Sequence, residues 1–419
     1  MTGRTLWSLV GLGGRAIAAV VLIVALSRAV GSEGYGVYAG ITAFVIIFTT
    51  VATVGVNETM VRSVSRDPER APRAWGATLR VSATLGLVIS VATVLLATVI
   101  LPGRSVTVIA LLTVAEFLTT AVGGTGGRMC MALDRYRAFA AHHLADGAVR
   151  AGAAVIFWVS GSDDLRLLAV LLAGGAAVLS LGSTLWVART VGRPEFRGVS
   201  VLAEAREGAS FSLADVSSGT QQNVDKAMLL RYDFDAENGV YSAGYRLISY
   251  ALLPLSAFFA TTYPQFFRHG EAGVAPAWAY AKGLAKRVLG GSLLLAVLCI
   301  AVAPLAGWLF GGDFDDITLV VFAMGLFPFF RAAQVLAGDT LSGSGHQSWR
   351  ARAQIVGAVV NVGANIWLIP RHGWQGAVAA TYLSEVVYLE LLLYRIRTTT
   401  STTRAGASQV DAPTPRVGL

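Results

Sequence analysis

The sequence predicts an all-α, polytopic membrane protein with twelve transmembrane helices in two six-helix lobes related by a pseudo-two-fold axis along the membrane normal. Three observations predict it. Of 419 residues, 54% are hydrophobic and only 14% charged, against about 25% charged in ordinary soluble domains. A mean hydropathy of +0.61 means that the apolar signal recurs along the chain, because one anchor helix would be diluted by the rest. The basic residues alternate between successive connections, and two short segments recur six spans apart.

Twelve apolar stretches of spanning length are read at about 6–28, 35–59, 75–101, 106–131, 141–159, 165–188, 209–231, 239–263, 287–309, 317–341, 352–369 and 374–394. Arg15 interrupts the first and no A-x-A site follows it, so it reads as a retained helix and not a cleaved leader. The second, fourth, sixth, eighth and tenth connections hold 18 Arg and Lys, from Arg62, Arg66 and Arg70 to Arg350 and Arg352. The odd-numbered ones hold 5, namely Arg28, Arg104, Arg166, Arg231 and Arg371. Positive residues stay on the cytoplasmic side, so a multi-pass protein of the cell membrane with both termini cytoplasmic is expected. The lobes are 1–208 and 209–397. The tail 398–419, rich in Thr, Ser, Pro and Arg, is expected to be disordered.

Gly36-Val37-Tyr38-Ala39 returns as Gly239-Val240-Tyr241-Ser242 at an offset of 203, and Gly147-Ala148-Val149 returns as Gly357-Ala358-Val359 at an offset of 210. These echoes suggest a duplication. An even number of spans in each half inserts both halves the same way up, leaving a central cleft suited to alternating access.

Composition also excludes classes. The net charge of +8 is distributed by membrane topology and not as a nucleic-acid patch. Cys130 and Cys299 lie in apolar runs and read as small core residues. His142 and His143 have no companion at ligand spacing, so no metal is expected. No G-x-x-x-x-G-K-[ST] loop is present, so no ATP hydrolysis and no bound cofactor are expected. No outer connection is long enough to build a polymerase or glycosyltransferase site, and the chain reads as a non-enzyme.

Cations at membrane depth are the main functional signal. Arg15 lies about 15 Å into the first span; Arg150, Lys226, Arg246 and Arg331 are similarly placed. Five lipid-facing cations would cost on the order of 15 kcal/mol, so they must face a polar interior. One alternative stays open for each: neutralisation by a buried carboxylate. The carboxylates Glu58, Glu116, Asp146, Asp215, Asp225, Asp339 and Glu385 could serve so, and Glu116, Asp225 and Asp146 are the candidates for coupling to H⁺ or Na⁺. The seventh span is polar nearly all round, from Ser210, Ser212 and Asp215 to Gln221, Gln222, Asn223 and Asp225, as a helix lining a wet cavity would be. Asn361 and Asn365 share a face and suit a helix clamp. Pro254, Pro304 and Pro328 are candidate hinges.

Arg28-Ala29-Val30-Gly31-Ser32-Glu33-Gly34-Tyr35-Gly36-Val37-Tyr38 resembles the "R-x-L-G-x-E-x-Y-G-x-Y" opening of Wzx-type polysaccharide flippases of the MOP superfamily. Asp225-Lys226 with Gly239 to Arg246, and Asn361 to Ala377, are similar to later stretches of that family. The resemblance implies movement of a polyprenyl-diphosphate-linked oligosaccharide to the outer leaflet, for lipopolysaccharide, O-antigen or exopolysaccharide synthesis. Membrane lipids, a polysaccharide polymerase and glycosyltransferases are then the expected partners, with no nucleic acid. Under it, Arg15, Arg28, Arg150, Lys226, Arg246 and Arg331 are candidates to bind the diphosphate and sugar. A MATE-like, ion-coupled multidrug antiporter is the alternative, and a membrane polymerase a more distant one.

Overall fold

The computed structural model describes residues 3–52, 55–196 and 200–410, with no description of the side chains of 3–5, 207–215, 260 and 401–410. Arg197, Ser210, Ser212 and Asp215 thus lie outside the described side chains. Among the described residues the secondary structure is helical throughout. The helices are α1 (Gly3–Ala52), α2 (Val56–Arg66), α3 (Ala71–Ile100), α4 (Val106–Phe117), α5 (Gly124–Ala132), α6 (Tyr136–Val159), α7 (Leu165–Val191) and α8 (Val201–Arg231) in the first part of the chain. Then come α9 (Asp235–Ala251), α10 (Leu253–Gly270), α11 (Val274–Phe310), α12 (Ile317–Ala323), α13 (Phe327–Gly343) and α14 (Gln347–Val410).

Among the described residues six helices are long and apolar enough to cross a membrane, or up to eight if each of two bent pairs is one span. The longest two fold back on themselves. In α1 the reversal is at Gly31 (φ 67°), where a Cβ would be strained and would meet the Asp313 carboxylate at 2.8 Å. Residues 12–22 and 38–46 consequently line one cavity, so the limbs lie side by side. In α14 the reversal is at Gly373 (φ 51°). Trp349 donates from Nε1 to the Leu391 carbonyl at 3.0 Å and Asn361 from Nδ2 to Ser384 Oγ at 3.2 Å, pinning the limbs antiparallel. Asn361 also accepts from Asn365 (3.1 Å), so this amide pair is a clamp inside the protein. Helices α6 and α8 are long enough to span but carry too many charged and polar groups to pass on hydropathy alone. The second limb of α14 continues to Val410, and the rest of the tail, from 411 on, lies outside the described residues.

The two ends of the bundle are built differently. At the end holding the Gly31, 101–105, 160–164, 311–316 and Gly373 turns, one apolar core joins both halves of the chain, including Leu26, Tyr35, Phe157, Tyr241, Phe314 and Ile369. At the other end the cores are separate. Met60, Val64, Trp75, Met129 and Val187 form one within the first half; Val274, Leu341, Tyr388 and Leu392, and beside them Phe266, Val288 and Leu336, form two within the second. The halves meet at one end and part at the other.

The first sequence echo lies on the joined end. A Cβ on Gly36 would fall on the Asp235 carbonyl, and one on Gly239 on the Ser32 carbonyl. Ser32 and Asp235 are separated by the same offset as the two glycines, so the contacts are counterparts of each other: α1 and α9 cross backbone to backbone and glycine is the residue that permits it. The second echo has no such symmetry: Gly147 packs on Arg15 and Ala18, Gly357 on Tyr388. Pro254 and Pro328 occupy the first turns of α10 and α13, where the missing N–H costs nothing, while Pro304 lies inside α11. Cys130 and Cys299 are free thiols.

Candidate functional site

Between the halves lies a cavity of about 490 Å³, walled by both limbs of α1 and by α4, α6, α8 and α9. Arg15, Arg150 and Arg246 project into its lining, with Glu116, Tyr38, Thr42, Gln222 and Tyr250. A neighbouring cavity of about 530 Å³ shares Leu12 and Arg15 with it and extends past Asn57, Glu58, Arg128, His142 and Asp146. Arg15 thus stands on the boundary of two cavities, with its side chain 46% exposed.

The charges are wired in sequence. Arg150 grips Glu116 with two guanidinium nitrogens, at 2.7 and 3.1 Å. The two residues are 34 positions apart and come from α6 and α4. Asp146, one helical turn before Arg150, accepts from its Nε at 3.3 Å and from Arg15 Nε at 3.0 Å. Arg128 closes on Glu58 at 2.9 Å at the far side of the second cavity. Arg246 makes no ion pair or hydrogen bond among the described residues. Three guanidinium groups therefore share two carboxylates, and one positive charge is left over in a cavity walled by helices. In such surroundings a charge interacts more strongly than in water, and an arginine presents paired donors matched to carboxylate or phosphate oxygens.

The other predicted residues are elsewhere. Arg28 donates from Nε and Nη2 to the Leu309 and Trp308 carbonyls, at 3.0 Å each. It caps the last turn of α11 at the joined end and does not line the cavity. Lys226 is 4% exposed and donates to Asp225 at 2.9 Å and to the Gln222 carbonyl at 2.7 Å. Its ammonium also lies 3.7 Å from the ring centroid of Tyr245, a cation–π contact. Tyr241 donates its hydroxyl to Asp225 at 2.5 Å. Lys226 is thus neutralised by its own neighbour, the alternative that the sequence left open. Arg331 lies 3.9 Å from Glu385, outside the cavity. Of the carboxylate candidates, Glu116 and Asp146 belong to the arginine network and Asp225 to the Lys226 cage.

Two sets of partners were not legible in the sequence. Glu385, only 2% exposed, accepts from Gln221 at 3.3 Å and Gln334 at 2.5 Å, and Gln354 donates to Gln221 at 2.7 Å. The polar face of α8 is spent here on amide packing against α14 as well as on the cavity, into whose lining Gln222 points. Arg104, counted in the sequence as a stray outer charge, reaches across the joined end. It binds Asp235 at 2.6 and 2.8 Å and Asp233 at 2.7 Å. The acidic run Asp233, Asp235 was the available signal. Among the described residues no three His, Cys, Asp or Glu side chains are grouped to hold a metal ion.

The comparisons agree with this architecture. The family model described as "Polysaccharide biosynthesis protein" matches residues 2–269. No curated protein matches the chain. Among solved structures, an inward-facing multidrug resistance MATE family transporter of the MOP superfamily aligns with a TM-score of 0.73 at 16% identity, covering 96% of each chain. An outward-facing MATE family transporter aligns at 0.62 and 16%, covering 95% of each. A MOP superfamily transporter from Pyrococcus furiosus, described as having a binding pocket of reverse polarity that suggests a different function, aligns at 0.57 and 12%, covering 94% of this chain and 95% of that one. The chain is therefore a multi-pass membrane protein of the polysaccharide biosynthesis protein family, built on the fold of the MOP-superfamily transporters.

Proposed function

We propose that the protein is a flippase that carries a polyprenyl-diphosphate-linked oligosaccharide from the cytoplasmic to the outer leaflet of the cell membrane. The observation that carries this reading is Arg246, a cation without a carboxylate partner among the described residues, in the wall of a cavity shared with Arg15 and Arg150. A diphosphate cannot cross hydrocarbon without replacement of its hydration. Arg246 supplies a charge at once, and Arg15 can exchange Asp146 for a phosphate oxygen without leaving the cavity lining. The two adjoining cavities are of the size that small polar ligands fill, and the lipid tail would stay in the bilayer.

Twelve spans follow if each limb of α1 and α14 is one span, each bent pair is one span, and α6 and α8 cross with their polar faces inward. The basic connections then lie in the cytoplasm with both termini, and the parted end of the bundle faces the cytoplasm. This is an inward-open arrangement, in keeping with the higher TM-score to the inward-facing relative. Rocking of the halves about the Gly36–Gly239 crossing would open the other end. A proton or Na⁺ that neutralises Asp146 would free Arg15 and so couple ion entry to diphosphate capture. Multidrug antiport is the competing reading; a cationic drug would meet an excess of positive charge here, since both acidic side chains of the network are already held by arginine.

The test is transfer of a fluorescent polyprenyl-diphosphate oligosaccharide in vesicles containing the purified protein. Wild type should expose the label to an outer-leaflet quencher, and Arg15→Gln with Arg246→Gln should not. Unimpaired transfer by that double variant would end the proposal, and transfer indifferent to imposed H⁺ and Na⁺ gradients would remove the coupling step.

A further inference from the structure

A second kind of pocket lies on the outside of the second half. Helices α11, α13 and the second limb of α14 enclose a groove of about 390 Å³. Its walls are apolar: Leu289 from α11, Phe329 and Leu336 from α13, Leu393 from α14. Lys282 and Arg397 also line it, and no carboxylate does. Neither cation forms an ion pair among the described residues.

The layout is polarised along the helix axes. Lys282 precedes Leu289 by seven residues, or about 10 Å of helix rise, and Arg397 follows Leu393 by one turn. Both cations therefore sit at the end of the groove that adjoins the arginine-rich connections, and the apolar wall runs from them toward the middle of the bundle. Trp278, one turn beyond Lys282, lies at the same end, the depth at which indole rings mark a membrane–water boundary. The surrounding surface is apolar and open, with Leu294, Val297 and Val386 exposed, as a lipid-facing surface is and a water-facing one is not.

We infer that this groove binds one anionic phospholipid, its phosphate held between Lys282 and Arg397 and an acyl chain laid along Leu289, Phe329 and Leu393. Two cations with no carboxylate beside them call for a ligand with net negative charge. A zwitterionic headgroup brings its own ammonium and gains less. Basic pockets between membrane helices at the cytoplasmic level recognise acidic headgroups in this way. The lipid would bridge three helices of the second half, which otherwise share no core at this point with the first.

Native mass spectrometry of the full-length protein, titrated with phosphatidylglycerol or with phosphatidylcholine, reads the site directly. Wild type should retain one phosphatidylglycerol at least tenfold more tightly than phosphatidylcholine. Lys282→Ala with Arg397→Ala should weaken phosphatidylglycerol about thirty-fold, at roughly tenfold or less for each cation, and leave phosphatidylcholine unchanged. Both side chains are at least partly exposed, so an unaltered melting curve is expected for this variant. Ala285→Trp, which fills the apolar slot and keeps both cations, should weaken both lipids. Equal retention of the two lipids by wild type, or undiminished phosphatidylglycerol binding by either variant, would overturn the assignment.

Discussion

Two regions of the molecule, the arginine network of α4 and α6 and the lysine cage of α8 and α9, answer the same problem, buried cations, in opposite ways. In the first half Arg15 and Arg150 share Asp146, and Arg150 also holds Glu116, but the network borders open space and Arg15 stays nearly half exposed. In the second half Lys226 is sealed between Asp225, Tyr241 and Tyr245, and Glu385 is bound by two glutamines. The lesson is that ionisable residues at equal depth are not equal evidence of a site. A charge with its partner and a closed shell holds helices together, whereas a charge with a shared or missing partner beside a cavity is available to a ligand.

That contrast is sharpest at Asp225. Asp225→Ala strips a buried ammonium of its counter-ion, and such a loss costs about 3–5 kcal/mol; thermal unfolding in detergent should show a strongly destabilised protein. Adding Lys226→Met should recover most of the loss. No recovery would mean that the pair does more than hold the helices. Next comes Arg246→Gln, which should weaken binding of the diphosphate ligand about 10- to 100-fold, as expected for charge-assisted hydrogen bonds, at unchanged melting temperature. Equilibrium binding of a water-soluble sugar diphosphate would check this. An effect on melting with none on binding would turn Arg246 into a structural residue like Lys226.

A second comparison sets the joined end against the parted end. Gly239→Ala places a methyl on the Ser32 carbonyl and should cost about 1–3 kcal/mol, all of it in the state whose outer end is closed. Cysteine labelling near Gly31 should therefore become faster, and unchanged labelling would show that the crossing is not the pivot. Smallest of all, Arg331→Gln should alter translocation less than about threefold, because a partly exposed ion pair at long distance contributes little. A large loss would extend the binding region from α9 to α13.

Much of the fold was legible because hydropathy and loop charge are local properties. The polar character of α8, the amide clamp at Asn361 and Asn365, and the Gly36 and Gly239 echo all correspond to features of the structure. The candidate site was legible only in part. Arg15, Arg150 and Arg246 come together, but Arg28 caps α11, Lys226 is caged and Arg331 stands apart. Nothing in the spacing of Asp225 and Lys226 could separate a caged lysine from a free one, since the cage is completed by tyrosines of α9. The partners of Arg104 and Glu385 were not legible because they are distant in the chain: Asp235 lies 131 residues from Arg104, and Gln221 lies 164 from Glu385.

The sequence by itself determined that this chain lives in a membrane as a bundle of helices, which parts of it are apolar enough to span, and that it carries more buried charge than lipid tolerates. Those conclusions depend on transfer energies summed over neighbouring residues. Which cations remain available was decided only by tertiary structure, because a charge is quenched or left open by side chains arriving from other helices, and by whether the helices around it leave a void.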